Sequence, residues 1–398
     1  VTVDIRVLTD DAELRRSASV FATALVGAPE LDPDRDLSKR FEPGRTLGAF
    51  VDGEMVGTAN AYTSWLVSPG GDRLPHAAVT HVGVLPTHTR RGVLSGLMRR
   101  QLADFAARGE VVASLRASEG VIYGRFGYGV ATIGATYELT RERLALRPEV
   151  PAGGRVRLLH PDTGWQEARK IYPSAASWVG AINRPAYWWD GVQYSARKGQ
   201  KQYFLVHGEP GAEDGFLRYE VAENWWESPR TIVVHDLIAA SETAYAGLVR
   251  YLVSIDLVER IKFDYTPTDT PLAYFFVDPR ALNTTSRDDE TWLRLVDVPA
   301  ALSRRTYRGD GSVTVSVTDN VLPDNNGTYV ISGKGASRTE SDPDLSVDVS
   351  TLAALYLGGP RWWQLARAGR VTVHRADAVA EADDLFHQDA APFCGTYF

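Results

Sequence analysis

The sequence predicts an α/β protein with mixed sheets, spread over more than one domain. Three observations carry this expectation. A chain of 398 residues is too long for one ordinary core. Strand-patterned and helix-patterned stretches alternate through roughly its first two thirds. A proline- and glycine-rich stretch, Arg147 to Gly154, separates two such alternating regions. The expected division is 1–145, 155–288 and 289–398.

In the first region Val3, Ile5 and Val7 alternate as an opening strand, followed by a helix from about Asp11 to Leu25. Strands at Thr46–Val51 and Met55–Trp65 flank Asp52-Gly53, a tight hairpin turn. His76–Leu85 reads as a strand ended by Pro86. Leu94, Leu97, Met98, Leu102 and Phe105 recur at helical spacing, and Gly109 stops that helix. Val111–Leu115 is a buried strand; a short helix and a strand over Ala135–Leu139 follow. The second region repeats the pattern with strands at Arg155–Leu159, Gln202–His207, Phe216–Ala222, Thr231–Ile238 and Arg260–Tyr265. Its long helix is capped by Ser241 and runs to about Val258. The third region alternates over Trp292–Val298 and Val313–Val317, turns at Asn326-Gly327 before Thr328–Ile331, and offers Ser350 as a helix cap. Its last residues, Phe393 to Phe398, are too apolar for an idle tail and are expected to dock.

Composition removes several function classes. A net charge of −7 argues against nucleic acid as the main partner. No apolar run reaches the roughly 20 residues of a membrane span. The charged opening ValThrValAspIleArgVal is unlike a signal peptide, so the cytoplasm is the expected compartment. The lone Cys394 cannot form an internal disulfide, and eight scattered histidines form no zinc pattern, so no metal is expected.

Two motifs bear on chemistry. In residues 79–95 a strand ends and a turn holding Arg90, Arg91 and Gly92 opens into the long helix. A helix start leaves backbone N–H groups unpaired and carries partial positive charge, which suits a diphosphate; the arginines add charge and Gly92 permits close approach. The plainer alternative is a surface helix cap. In residues 118–128, SerGluGlyValIleTyrGlyArgPheGlyTyr, Tyr123 sits after a buried strand, where its phenol can donate a proton to a thiolate leaving group. The alternative is a core aromatic, the preferred role for Phe126 and Tyr128.

ProThrHis-x-ArgArgGly, AlaSerGluGly-x-IleTyrGlyArgPheGlyTyrGly, LeuTyrLeuGly at 355–358 and the terminal phenylalanine together resemble the Eis (enhanced intracellular survival) family of GNAT N-acetyltransferases. The resemblance spans the chain. It implies two tandem GNAT-like domains, the second degenerate, then a sterol-carrier-like domain, and assembly into homo-hexamers. It implies acetyl-CoA as co-substrate, with Val82, Gly83 and Val84 along its pantetheine arm, and Arg90, Arg91, Gly92, Val93 and Leu94 at its pyrophosphate. Ser118 and Glu119 complete the cofactor-binding set. Tyr123 becomes the general acid and the Phe398 carboxylate the general base, reaching in from the third domain.

The implied substrate class is the primary amines of aminoglycoside or related antibiotics. The alternatives are lysine side chains of proteins, or a lipid carrier with a relic acetyltransferase domain. Thr89 departs from the usual GNAT turn, and Thr23 and Tyr397 stand where some relatives carry acids for a polycation. Glu30, Asp32 or Asp34 are the available substitutes. Three tryptophan pairs, 188–189, 225–226 and 362–363, are expected in cores and subunit contacts rather than as an aromatic wall for substrate. Arg184-Pro185 with Trp189-Asp190 resembles a feature of the family's second domain.

Overall fold

The computed structural model describes residues 3–199, 201–222 and 229–398, so the Trp225-Trp226 pair lies outside the described residues. The first unit comprises β1 (Asp4–Val7), α1 (Asp11–Ala24), β2 (Leu47–Val51), β3 (Glu54–Val67), β4 (Arg73–Val84), α2 (Val93–Ala107), β5 (Val112–Leu115) and β6 (Gly129–Thr140). Asp10 starts α1 by accepting the Ala12 and Glu13 amides. The β2–β3 hairpin turns at Asp52 (φ 51°) and Gly53 (φ 82°), the two left-handed residues that a type I′ turn requires. Gly57 lets α2 lie close on β3: a Cβ there would stand 2.9 Å from Val93.

The second unit adds β7 (Val156–Leu159), α3 (Pro161–Ala175), α4 (Ala186–Lys198), β8 (Gln202–His207), β9 (Gly215–Val221), β10 (Thr231–Ala239), α5 (Glu242–Ser254) and β11 (Arg260–Pro267). Helices α3 and α4 are additions to the sequence reading. Trp165, Ala168, Ile171, Tyr172 and Ala175 bury one face of α3. Strand β12 (Leu282–Leu295) then runs back into the first unit, between β5 and β6. It pairs Trp292–Leu295 with Leu115–Val112, and Leu282–Leu293 with Leu139–Gly129. The division between 288 and 289 falls inside this strand. One twelve-stranded sheet results, in the order β1-β2-β3-β4-β5-β12-β6-β11-β10-β9-β8-β7.

The third unit holds α6 (Val298–Ser303), β13 (Ser312–Thr318), β14 (Gly327–Ser332), β15 (Gly335–Thr339), β16 (Leu345–Asp348), α7 (Val349–Tyr356), α8 (Trp362–Arg367), β17 (Thr372–Val373) and α9 (Ala378–Phe386). Its sheet runs β15-β14-β13-β16-β17. Asp348, not Ser350, caps α7, accepting the Thr351 amide at 2.7 Å. Ser350 instead donates its hydroxyl to the Tyr128 carbonyl at 2.7 Å, tying α7 to the first unit. Gly129 makes that contact possible, since a Cβ there would fall 2.1 Å from the Ser350 carbonyl oxygen. The fully buried pair Arg294–Asp319, at 2.5 Å, joins β12 to the third unit.

Candidate active site

Strands β4 and β5 are parallel and in register over His76–Val112, Ala77–Ala113 and Ala78–Ser114. Beyond that point they part. β4 stays bonded to β3 as far as Val84, while β5 stays bonded to β12 through Leu115. The strand edge of β4 from Val79 onward therefore faces a wedge, where backbone polar groups await a partner. A bulge interrupts the β3–β4 ladder there, and His81 takes a left-handed φ of 50°.

At the far end of β4 the chain turns into α2. Arg90 (φ 61°) and Gly92 (φ 84°) are both left-handed, and Gly92 is the N-cap with no side chain capping the helix. No acid stands in the first turn, and nothing lies within 4 Å of where a Gly92 Cβ would be. Arg90 and Arg91 are exposed, and among the described residues neither pairs with a carboxylate. The helix mouth thus combines free N–H groups, unpaired cations and open space, an anion site in physical terms.

The loop after β5 carries Arg116, Ser118 and Glu119 before reaching Tyr123. Ser118 and Glu119 are exposed; Tyr123 is buried, edge-on to Tyr128 at 6.0 Å. Burial, with Glu119 adding to it, pushes the Tyr123 phenol up to about 12, so it is protonated at neutral pH.

The C-terminal segment runs to the same end of β5. The carbonyls of Phe393, Gly395, Thr396 and Tyr397 accept from Trp178, Arg184, Arg116 and Trp188 at 2.8, 2.8, 2.9 and 2.6 Å. The Cys394 and Gly395 amides donate to Glu290 at 2.9 and 2.8 Å. These bonds, at about 1–2 kcal/mol each, offset a backbone ordering cost of about 1–2 kcal/mol per residue. Asp236 braces the arrangement, 2.8 Å from Arg184 and 2.6 Å from Arg218. Burial alone would raise its carboxyl; the two guanidiniums outweigh that and hold it below the usual carboxylate range. Phe398 is half-buried, its ring packed against two cores, and Tyr397 is exposed.

The acetyltransferase (GNAT) domain matches residues 4–131 and again, as a second family of that description, 180–298; a sterol carrier protein domain matches 298–395. The crystal structure of Eis1 from Mycobacterium abscessus is 46% identical, with a TM-score of 0.93, covering 99% of this chain and 100% of that one. The N-acetyltransferase Eis of Mycobacterium tuberculosis is 35% identical over 86% of this chain and 85% of its own. The chain belongs to the Eis family of GNAT N-acetyltransferases. An uncharacterised N-acetyltransferase of Streptomyces coelicolor, 38% identical over 92% of both chains, is a further relative.

As an Eis-family enzyme the chain is an acyltransferase, and GNAT domains use acetyl-CoA. The residues present fit that co-substrate: the uncapped α2 mouth suits a diphosphate, and the free β4 edge suits the amides of a pantetheine arm. Val82 and Val84 are half-buried on that strand, while Gly83 faces α1, where a Cβ would meet Ala24 at 2.9 Å. Val93 is buried under β3 and offers only its backbone; Leu94 is half-buried beside Val82 and Tyr123 in one cluster. Among the described residues no cluster of His, Cys, Asp or Glu could hold a metal, and no helix is long and apolar enough to cross a membrane.

Around the β4 bulge of this Eis fold stand residues that the sequence did not flag, His81 and Arg40, beside others that it did. His81 lies edge-on to Phe21 at 4.8 Å, and its Nε2 meets the Arg40 guanidinium. Burial, then Arg40, push the imidazole well below its ordinary value, so it stays neutral. Thr23 donates to Ser19 at 2.8 Å, and Glu30 accepts from Ser19 at 3.1 Å. Asp32 accepts from Tyr194, and Asp34 is exposed. Arg116 and Glu290 were also missed; their meaning depends on a tail that is about 280 and 105 residues away in sequence. Arg184 was noted only as part of a feature of the family's second domain, and here it grips the tail.

Proposed function

We propose that the enzyme transfers the acetyl group of acetyl-CoA to a primary amine by direct attack, and that aminoglycosides or related amine antibiotics are its substrate class. The observation that supports this is the docked tail, whose Thr396 carbonyl is held by Arg116, the residue after β5 on the loop that leads to Tyr123. Acetyl-CoA supplies the activated thioester. The Phe398 carboxylate accepts the proton of the incoming ammonium, leaving nitrogen a free lone pair. As the new C–N bond forms and the C–S bond breaks, Tyr123 donates its proton to the departing sulfur. The attacking nitrogen gives up its second proton to solvent, and solvent restores the phenol. The burial and neutral phenol of Tyr123 support this role. Backbone N–H groups near Val84 polarise the thioester carbonyl. Arg90, Arg91 and the α2 mouth hold the diphosphate, anchoring the reacting end at a fixed distance.

One observation favours a second reading of the substrate. Arg40 against His81 places positive charge beside the bulge, and Thr23 and Tyr397 add no carboxylate. Such a face suits a singly charged amine, such as a lysine side chain, better than a polycation. A thiol-release assay with acetyl-CoA against aminoglycosides, polyamines, cyclic peptide antibiotics and lysine peptides tests both. Turnover of aminoglycosides upholds the first reading, and turnover of lysine peptides alone replaces it with the second. No thiol release with any of these amines, together with no calorimetric binding of acetyl-CoA, would point to a carrier. The homo-hexamer and cytoplasmic location implied by the resemblance belong to the same proposal, and light scattering of the purified protein checks the assembly.

A further inference from the structure

The second unit repeats the construction of the cofactor wedge. β10 and β11 are parallel and in register over Thr231–Val234 against Arg260–Phe263, and then they part. β10 remains bonded to β9 through Ala239, with its ladder shifted at His235, while β11 remains bonded to β6 through Pro267. The wedge between them is a cavity of about 230 Å³, walled by Trp178, Ile238, Phe263, Leu272 and Phe393. The helix that follows differs in kind from α2. Ser241 caps α5 by accepting the Ala244 amide at 3.1 Å and donates to Asp214 at 2.6 Å, while Glu242 occupies the first turn. A diphosphate there would meet two carboxylates and a mouth already satisfied. The wedge has room for a chain and no anion site like that of α2.

The lining also fixes the polarity of an occupant. Its acids are already matched: Asp236 by Arg184 and Arg218, and Asp264 by Lys262 at 3.0 Å. A carboxylate or an ammonium would therefore find no free counter-ion. The remaining polar capacity is uncharged: the His235 imidazole, which burial holds below its ordinary value and which lies 3.3 Å from Glu220, the Tyr245 and Thr270 hydroxyls, which meet at 3.1 Å, and the β10 backbone beyond Val234. We propose that this cavity binds a slender apolar chain ending in an uncharged amide, independently of acetyl-CoA at the first unit. The occupant would touch Phe393 and Gly395 in the segment that carries Phe398.

Isothermal titration of the full-length protein with octanamide tests this, with octanoate and octylamine as charged counterparts of equal length. D-pantetheine, a longer chain with two internal amides, distinguishes a phosphate-free cofactor arm from a fatty amide. The expected result is one octanamide or pantetheine site per chain, at least tenfold tighter than either charged counterpart, unchanged by saturating acetyl-CoA. Ile238→Trp should fill the cavity and weaken binding at least tenfold while acetyl-CoA binding stays intact, and Ile238→Phe provides a milder variant. No amide binding to the wild-type protein overturns the proposal. So does loss of binding in the presence of acetyl-CoA, equal affinity for octanoate, or full binding by a folded Ile238→Trp or Ile238→Phe protein.

Discussion

Glu290, fully buried on β12, accepts the Gly395 amide proton at 2.8 Å. The same carboxylate accepts from Cys394 at 2.9 Å and pairs with Arg116 at 3.0 Å, while Arg116 also holds the Thr396 carbonyl. One acid in the middle of the large sheet thus organises the tail and the cation that grips it. Glu290→Gln removes the counter-charge of a buried guanidinium, a loss worth about 3–5 kcal/mol. Carboxypeptidase should then release Phe398 at least tenfold faster, and kcat should fall while the Kd for acetyl-CoA stays within about twofold. Release at the wild-type rate would show that the tail does not depend on this acid.

Tyr123→Phe removes the proton donor but keeps the ring against Tyr128. The expected loss is about 10²- to 10⁴-fold in kcat, the usual worth of a positioned acid, with unchanged acetyl-CoA affinity. Because the wild-type phenol is pushed up to about 12, this group should cause no alkaline fall in kcat below about pH 11. A rate profile for Tyr123→Phe that matches the wild type in both height and shape would remove Tyr123 from the mechanism.

Arg40→Ala takes a guanidinium away from His81 beside the β4 bulge, where the proposed amine would approach. With that positive charge gone, KM should fall about fivefold or more for a polycationic amine, and change little for a singly charged one, since roughly 1 kcal/mol of repulsion is relieved. Low ionic strength should widen the difference. Equal KM changes for the two amines would mean that Arg40 acts on packing rather than charge.

What the sequence made legible was local. The Asp52-Gly53 turn needs two left-handed residues in succession, and the Arg90–Gly92 turn announces an uncapped helix mouth within four residues. The two-unit α/β plan followed from strand and helix periods. Missed features were relations across the chain. The first half of β12 is largely exposed and polar, so nothing in Leu282–Asp289 advertises a strand that completes a sheet begun at Asp4. Helix α3 carries Gly164 and Pro173, which mask its period, although Gly164 is there because a Cβ would overlap Phe204 at 2.3 Å. Ser350 had the chemistry of a cap, but Asp348 is better placed, and the serine hydroxyl serves the junction with Tyr128 instead.

The strand pair that opens the wedge carries its own titration. His76 on β4 is fully buried and bonds Ser114 of β5 at 2.8 Å through Nε2; burial, then Arg45, lower its pKa to about 3. In the unfolded chain the same imidazole titrates near 6.5. The folded value is the lower one, so between about pH 3 and 6.5 the unfolded state binds more protons and stability rises with pH. The contribution is fully present above about pH 6.5 and is lost as pH falls toward 3, at up to about 1.4 kcal/mol per pH unit. Between pH 5 and 6.5 most carboxylates stay ionised, which isolates the histidine part of the slope. His76→Gln preserves a polar partner for Ser114 without a titrating proton. Denaturant unfolding at a series of pH values should therefore give a slope lower by nearly one proton in that window for the variant, with similar stability at pH 8. Equal slopes for the two proteins would mean that His76 becomes protonated within the fold, and that the β4–β5 pair opens to water at its root.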